Sequence, residues 1–537
     1  MKPGAHPIVR YALATSILLL SGAGAGAETL VLRDGDDLAE AARQAADGDV
    51  IRLEAGRYPG PVVVEGKRIA IEVSDGGARA VIVPGQSNVL VGARKGGQAD
   101  LSGLAFETSA ETPLALFARK GGISCAGCTI ESAHDQPVHV ENGSLRLTGG
   151  RISGAGKNVI VARDSQIDLE DMQVEALTGS PLNAADTMAA SILRSRLSGA
   201  ERTSVRGDAP MVRIADSEIA ASSSYGLAFE GGGKIDIERS RLTGGLAGLV
   251  AKLGSGARMR IADVEARSPD WGIHLEHLGG DTARVTLDRV VAAGGKGVAL
   301  RAIGGLDVAV GGSTFVSGGG YGVTAEGDGV RLRLDGSVLA SGDVPVIVLY
   351  DGPGRIELAD TATLPAEPVH HGVVPDDGTQ RLSRTIADGA ALAEELKAGV
   401  AGLLAGGDAA PLAMAAERAR AAAAAITMVA LEVADGVGTV RAAPFTVVSA
   451  DNLEIVAESA DGAPVPVPPG LHFVEWREDA LFAAELEAKG GSATARIEVP
   501  EGLWFDAGFG AADKDRMTLL RTIPAEEVRQ VFRAAAG

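Results

Sequence analysis

Ile235-Asp-Ile-Glu-Arg-Ser-Arg-Leu242 sets the pattern for most of this chain. Apolar residues at 235 and 237 flank an acid, so successive side chains alternate between a buried and a wet face, the period of a half-buried strand. Turn-forming residues follow, and Leu242 opens the next apolar position. The same frame stands upstream as Leu145-Arg-Leu-Thr-Gly-Gly-Arg-Ile152, Ile167-Asp-Leu-Glu-Asp-Met-Gln-Val174 and Val212-Arg-Ile-Ala-Asp-Ser-Glu-Ile219. Downstream it restarts at Met259, Val285, Val308, Leu332 and Ile356, with weaker copies at Ala99, Ile123 and Ala190. The starts step by 22 to 26 residues. Between copies lies a second apolar strand, often entered through glycine: Tyr225-Gly-Leu-Ala-Phe229, Trp271-Gly-Ile-His-Leu275, Lys296-Gly-Val-Ala-Leu300 and Tyr321-Gly-Val-Thr-Ala325.

Two or three short strands with their turns make one coil. A single coil cannot bury its own apolar face, so coils must stack. The expectation is a mainly β protein, a right-handed parallel β-helix of about twelve coils. At about 4.8 Å per coil it would be roughly 55–60 Å long. A leucine-rich repeat would need a Leu-x-x-Leu-x-Leu frame with Asn, and a propeller a period near 40. The 73 glycines among 537 residues follow no Gly-X-Y period, and aromatics are only 3%; such a composition supplies many tight turns.

Ahead of the repeats, Asp36-Asp-Leu-Ala-Glu-Ala-Ala-Arg-Gln-Ala-Ala46 reads as a short helix N-capped by Asp36 and ended at Asp47-Gly48. Val50-Ile-Arg-Leu53 and Gly56-Arg-Tyr58 follow. This opening resembles the pectin-lyase-like superfamily, and with the coils the resemblance covers roughly residues 28–365. It implies a β-helix closed by an N-terminal helical cap. That superfamily holds polysaccharide lyases, hydrolases, epimerases and non-catalytic scaffolds, so the fold leaves the reaction open.

Residues 1–27 read as a secretory signal: Lys2 and Arg10 are basic, Tyr11 to Leu20 is mostly apolar, and Ala25-Gly26-Ala27 fits cleavage before Glu28. A periplasmic or secreted protein is expected, with no membrane span once the signal is removed. Loss of Lys2 and Arg10 takes the net charge from −20 to −22, which speaks against nucleic acid as a partner. Residues 28–365 form the β-helix and 366–384 a Pro- and His-containing linker. Residues 385–434 are Ala-rich and read as two helices broken at Gly406-Gly407 and Pro411. Residues 435–537 read as a small α+β domain, with a last helix from Pro524 to Ala535. This tail would close the open end of the coils or hold an envelope protein partner. Cys125 and Cys128, the only cysteines, sit inside a repeat; a structural role is expected, as a disulfide or as two buried thiols.

Stacking turns sequence positions into columns. Aligned on their glycines, the second strands put Tyr225, Ala247, Trp271, Lys296 and Tyr321 in one column. Aromatics two coils apart suit an extended polysaccharide, since ring faces offer apolar area to sugars. Alternatively these pairs only cover a coil edge. The same alignment gives Glu230, Lys252, Glu276, Arg301 and Glu326 as an alternating ladder, most simply ion pairs. Two clusters hold half of the histidines: Ser132-Ala-His134-Asp135-Gln-Pro-Val-His139 and Trp271-Gly-Ile-His274-Leu-Glu276-His277. Histidine is the natural proton carrier near neutral pH. If there is chemistry, it is placed at His274, Glu276, His277 and Arg301, with a histidine as base and Arg301 stabilising charge. His134, Asp135 and His139 are the secondary candidates. His134-Asp135 resembles the end of the Asp-Pro-His-Asp signature of periplasmic mannuronan C5-epimerases, with Ser132 and Ala133 where that family has Asp and Pro. No cofactor is expected, and the sequence has no Asp-rich calcium cluster.

The functional expectation is an exported rod that binds or processes a polysaccharide along its lateral face, with Tyr225, Trp271, Lys296 and Tyr321 as the binding column. The rivals are a scaffold bridging envelope partners and a polysaccharide lyase or C5-epimerase.

Overall fold

A computed structural model describes residues 27–498 apart from 75–78, 343–346, 351–354, 360, 365–382, 386–389, 435–439, 453 and 478–480. The segment read as a secretory signal, most of the linker and the helix expected from Pro524 lie outside the described residues.

Each coil carries three short strands, one in each of three parallel sheets. In the coil that begins at Lys234, Lys234–Glu238 belongs to sheet A, Arg241–Thr243 to sheet B and Ala247–Leu253 to sheet C. Among the described residues sheets A and B have 15 strands each and sheet C has 13. The chain is thus a right-handed parallel β-helix of about 14 turns, more than the twelve counted from the repeats. The apolar starts of the repeat stack inside it. Ile123, Leu145, Ile167, Ala190, Val212, Ile235, Met259 and Val285 are each the parallel partner of the next. All are under 5% exposed and belong to one core, where each large aliphatic contributes roughly 1.5–3 kcal/mol of burial.

The corner between sheets A and B is made by one residue in the left-handed conformation. Gly103, Gly127 and Gly149 hold it first, then Asp171, Arg194, Asp216, Arg239, Asp263 and Arg289, then Gly312 and Gly336, with φ between 45° and 70°. A side chain there costs about 1–2 kcal/mol. The six non-glycine residues alternate strictly in charge. Arg194 bonds both carboxylate oxygens of Asp171 at 2.9 and 3.0 Å, and Arg239 and Arg289 do the same to Asp216 and Asp263. The next residue turns inward. Ser195, Ser217 and Ser240 stack there, buried; each hydroxyl donates to a carbonyl of its own coil and accepts the N–H of the residue one coil before. Cys128 follows Gly127 at this same position and is disulfide-bonded to Cys125.

Helix α1 (Leu38–Gln44) lies between the first two strands of sheet A and puts Leu38 and Ala42 into the core. Its N-cap is Asp37, whose carboxylate accepts the Glu40 N–H, rather than Asp36. Asp36 is already engaged with the Arg33 N–H in the preceding turn.

Helices α2 (Ala390–Leu404) and α3 (Ala410–Ala425) pack on the side of the rod, not across its end. Leu396, Val400, Leu403, Leu412 and Ala419 bury Ala293, Val316, Val338, Ala340 and Leu364 of sheet B. That explains why Thr314–Ser317 and Thr361–Leu364 are buried at every position: both faces of these strands are covered. Arg267 and Arg420 tie the helices down, through the Leu403 carbonyl and through Gly312 and Thr314. Thr427–Ala434, read from sequence as the end of the helical segment, is a strand. Alternating Met428, Thr427 and Val429 supply β-branched and apolar residues that pair with Gly491–Glu498. Phe445–Ser449, Ile455–Ser459, Gly470–Arg477 and Leu481–Ala488 form a second, antiparallel sheet.

Candidate functional site

The outer face of sheet C gathers the aromatic, histidine and arginine side chains. In Trp271–His277, Ile273 and Leu275 enter the core, so His274 and Glu276 point outward. The sequence left that choice open. The glycine alignment, however, misplaces the next coil. Ile273 pairs with Leu300 and His274 with Arg301, a step of 27 residues; the turn at 278–282 takes the steps in sheets A and B to 26, and the stretch between Gly294 and Leu300 adds one more. Arg301 therefore stands beside His274, and Ile303 takes the place in the charge ladder that the glycine alignment gave to Arg301. The ladder reads Glu230, Lys252, Glu276, Ile303, Glu326.

Lys296 likewise leaves the binding column. It is exposed in the turn, its N–H bonded to the Pro269 carbonyl. The following Gly297 marks no strand entry; it is glycine because the Trp271 indole lies on it. Tyr225, Ala247 and Trp271 are in register as expected. Counting back from Leu300 and Val323, Val298 and Tyr321 continue the column. Tyr225, Trp271 and Tyr321 are all half-buried.

Around Trp271 the geometry is tight. Its indole stacks on the His274 imidazole, ring centroids 5.4 Å apart at 26°. The Arg301 guanidinium lies 5.7 Å from the indole centre, a cation–π arrangement. Arg301 donates to both oxygens of Glu326 at 2.8 and 2.7 Å. Lys252 reaches Glu276 at 3.4 Å, and His274 Nε2 lies 3.8 Å from the same carboxylate. His274 is 7% exposed, and its Nδ1 has no hydrogen-bond partner among the described residues. Burial, then the Arg301 charge, hold its imidazole below the usual histidine range, against the pull of Glu276 and Glu326. Burial opposes ionisation of Glu326, yet the Arg301 hydrogen bonds prevail and its carboxyl titrates below its ordinary value. His277 is not part of this group. It ends the strand with inward parity, next to Leu253, and its Nε2 meets the Asp281 carbonyl at 3.1 Å.

The secondary candidates separate. His134 and Asp135 lie in the turn before Val138–Glu141, where Asp135 accepts the Asn158 N–H and Ser132 accepts the His134 N–H. These are turn-closing roles. His139 is on the face of sheet C, and in the same column as His274: His139, Val161, Asn183, Ser204, Ala228, Val250 and His274 are successive partners. Here the sequence reading missed two residues. Phe117 pairs with His139, ring centroids 5.8 Å apart, and Arg94 lies 5.5 Å over Phe117. His139 Nδ1 is 3.2 Å from the Gln136 side-chain oxygen, and burial with the Arg163 charge lowers its pKa. Neither follows a sequence motif: the register brings Phe117 to this column, and Arg94, the partner of Arg119, reaches over its ring from the coil before. One face thus carries an aromatic–imidazole–guanidinium group at each end, with small or short side chains between.

No group of histidine, cysteine and carboxylate side chains able to hold a metal occurs among the described residues. No helix among them is long and apolar enough to cross a membrane.

No protein-family model and no curated protein matches the chain. Solved structures similar to it include an exopolygalacturonase from Thermotoga maritima (11% identity, 61% of this chain and 91% of that one, TM-score 0.33). The A-module of a mannuronan C-5 epimerase from Azotobacter vinelandii (12%, 65% and 98%, TM-score 0.31) and the pectate lyase Pel9A (13%, 64% and 78%, TM-score 0.23) are also similar.

Proposed function

We propose that this protein is exported and binds an extended polysaccharide along the outer face of sheet C. The observation that carries the reading is the Trp271–His274–Arg301 group on the outer face of sheet C. A half-buried indole held by a ring and a guanidinium offers a rigid apolar platform, and the carboxylates of Glu276 and Glu326 beside it accept hydroxyl hydrogen bonds. The column toward His139 is lined by Val250, Ala228, Ser204, Asn183 and Val161, short enough to let a flat chain lie across the coils.

Binding is favoured over lyase or epimerase chemistry by one contact. A base removing a carbon-bound proton needs a cation for the charge that develops. Arg301 already spends two donors on Glu326. The test is a glycan array probed with the parent protein and with a Trp271→Ala, Tyr321→Ala variant. Binding by the parent that the variant loses supports the reading. A parent that binds no glycan moves the assignment to a scaffold that captures an envelope partner through its tail.

A further inference from the structure

At many steps along this rod, a charged side chain faces the opposite charge one coil away. Arg52 pairs with Glu72, Arg119 with Glu141, and Arg196, Glu218, Arg241 and Glu265 follow one another across sheet B. Isolated like-charge pairs occur, Arg94 with Arg119 and Glu107 with Glu131, but along one edge of sheet A they run on over successive coils. Lys234 is the direct partner of Arg258, and Arg258 of Arg284; after Asp307, Arg331 is the partner of Arg355. Like charges placed directly opposite on neighbouring strands are destabilising. Lys234, Arg258, Arg284 and Arg331 are exposed and form no ion pair among the described residues. Asp307, the one acid in this column, pairs with Arg333 at 3.4 Å, and Arg355 pairs with Glu357 at 3.0 Å. Beside this edge runs a groove of about 730 Å³ lined by Arg260, Asp288, Arg333, Asp335, Arg355 and Glu357.

We propose that this edge, from Lys234 to Arg355, is a second binding site that takes a linear polyanion, an acidic polysaccharide, laid across the coils. The five cations span five coil steps, about 24 Å at about 4.8 Å each. A chain with an anionic group on each sugar would meet them in file and relieve their mutual repulsion. The strip is one side chain wide: Asp236, Asp288 and Glu357 lie in the neighbouring columns of the same face. A bilayer or a nucleic acid duplex would have to cover those acids as well, on a chain of net charge −20. The site is on a different face from Trp271 and does not depend on the reading given for sheet C.

The test measures binding of the purified full chain to four probes: a polyuronate, a neutral glucan, a single-stranded DNA oligomer and vesicles containing anionic lipid. Each is run at low and at moderate salt. Polyuronate should bind, lose at least tenfold in affinity with added salt, and lose at least tenfold in an Arg258→Glu, Arg284→Glu variant. No polyuronate binding, binding indifferent to the double variant, or stronger binding to DNA or vesicles would overturn the proposal. A second measurement guards against misfolding. Arg258→Ser removes a cation from between two others and should raise the melting temperature; a fall would make the column a structural element and also overturn it.

Discussion

Gly297 lies directly under the indole of Trp271: a Cβ on Gly297 would fall 2.3 Å from Trp271 Cδ1 and 2.4 Å from an Asp270 carboxylate oxygen. The glycine of one coil therefore seats the aromatic ring of the coil before it. Gly297→Ala should push the indole off His274 and cost about 1–3 kcal/mol. Denaturant unfolding checks this. In a Trp271→Ala background the same change should cost clearly less, and equal costs in the two backgrounds would refute the seat.

His274 and His139 are both held neutral by burial. Their folded pKa values lie below the ordinary 6.5, so as pH falls through about 6.5 the unfolded chain gains protons that the folded chain resists. Stability should drop across that window and level off once the folded imidazoles protonate. Glu326 beside His274, its carboxyl held below the ordinary range by the Arg301 hydrogen bonds, stays charged over this range. Melting temperatures at pH 7.5 and 5.5 should show a smaller acid-induced loss in a His139→Gln, His274→Gln variant than in the parent.

Ser217 accepts the Ser195 N–H at 3.1 Å and donates to the Ala215 carbonyl at 2.7 Å, all buried. Ser217→Ala leaves the Ser195 N–H without its acceptor and should destabilise by about 1–3 kcal/mol. Ser217→Thr should recover much of the loss, because Thr361 fills the equivalent corner with the same bond to its own coil. Chemical denaturation of the three proteins decides it.

Arg239 stands between Asp216 and Asp263 in the left-handed corner. Arg239→Asp would set three acids in line, and the melting temperature should fall. Because the corner is exposed, the fall should shrink in high salt. An effect equal at low and high salt would mean that the corner is held by backbone geometry alone.

The fold was legible because its signal is repeated. Ile235 and Ile237 by themselves are ambiguous; Ile123 through Ile356 at one spacing are not. The site was half legible. His274 and Glu276 sit two apart on one strand, so their shared face follows from the period of two, and the structure adds only that it is the outer face. Arg301 was chosen from the right coil but placed in the wrong column, since Gly297 looked like a strand-entry glycine. Local sequence cannot distinguish a glycine needed by its own backbone from one needed by a neighbour's ring. Phe117 and Arg94 were invisible for a related reason: partners one coil apart are more than twenty residues apart in sequence, and nothing local marks them. The side-on packing of α2 and α3 shows in the burial of Thr314–Ser317 and Thr361–Leu364 at every position, but the alternating Thr361-Ala-Thr-Leu364 carries no sign of it in sequence.

The Asp–Arg alternation at the left-handed corner also constrains how this rod changes length. Excising one coil, residues 194–215, would bring Asp171 against Asp216. Excising two, residues 194–238, would bring Asp171 against Arg239 and leave every contact of the series of the right sign. Between Asp171 and Arg289 the backbone repeats with every coil, but the surface charge repeats with every second one. Insertions and deletions here are therefore subject to a parity rule: coils come and go in twos, and a rod lengthened or shortened by one carries a like-charge fault at the seam.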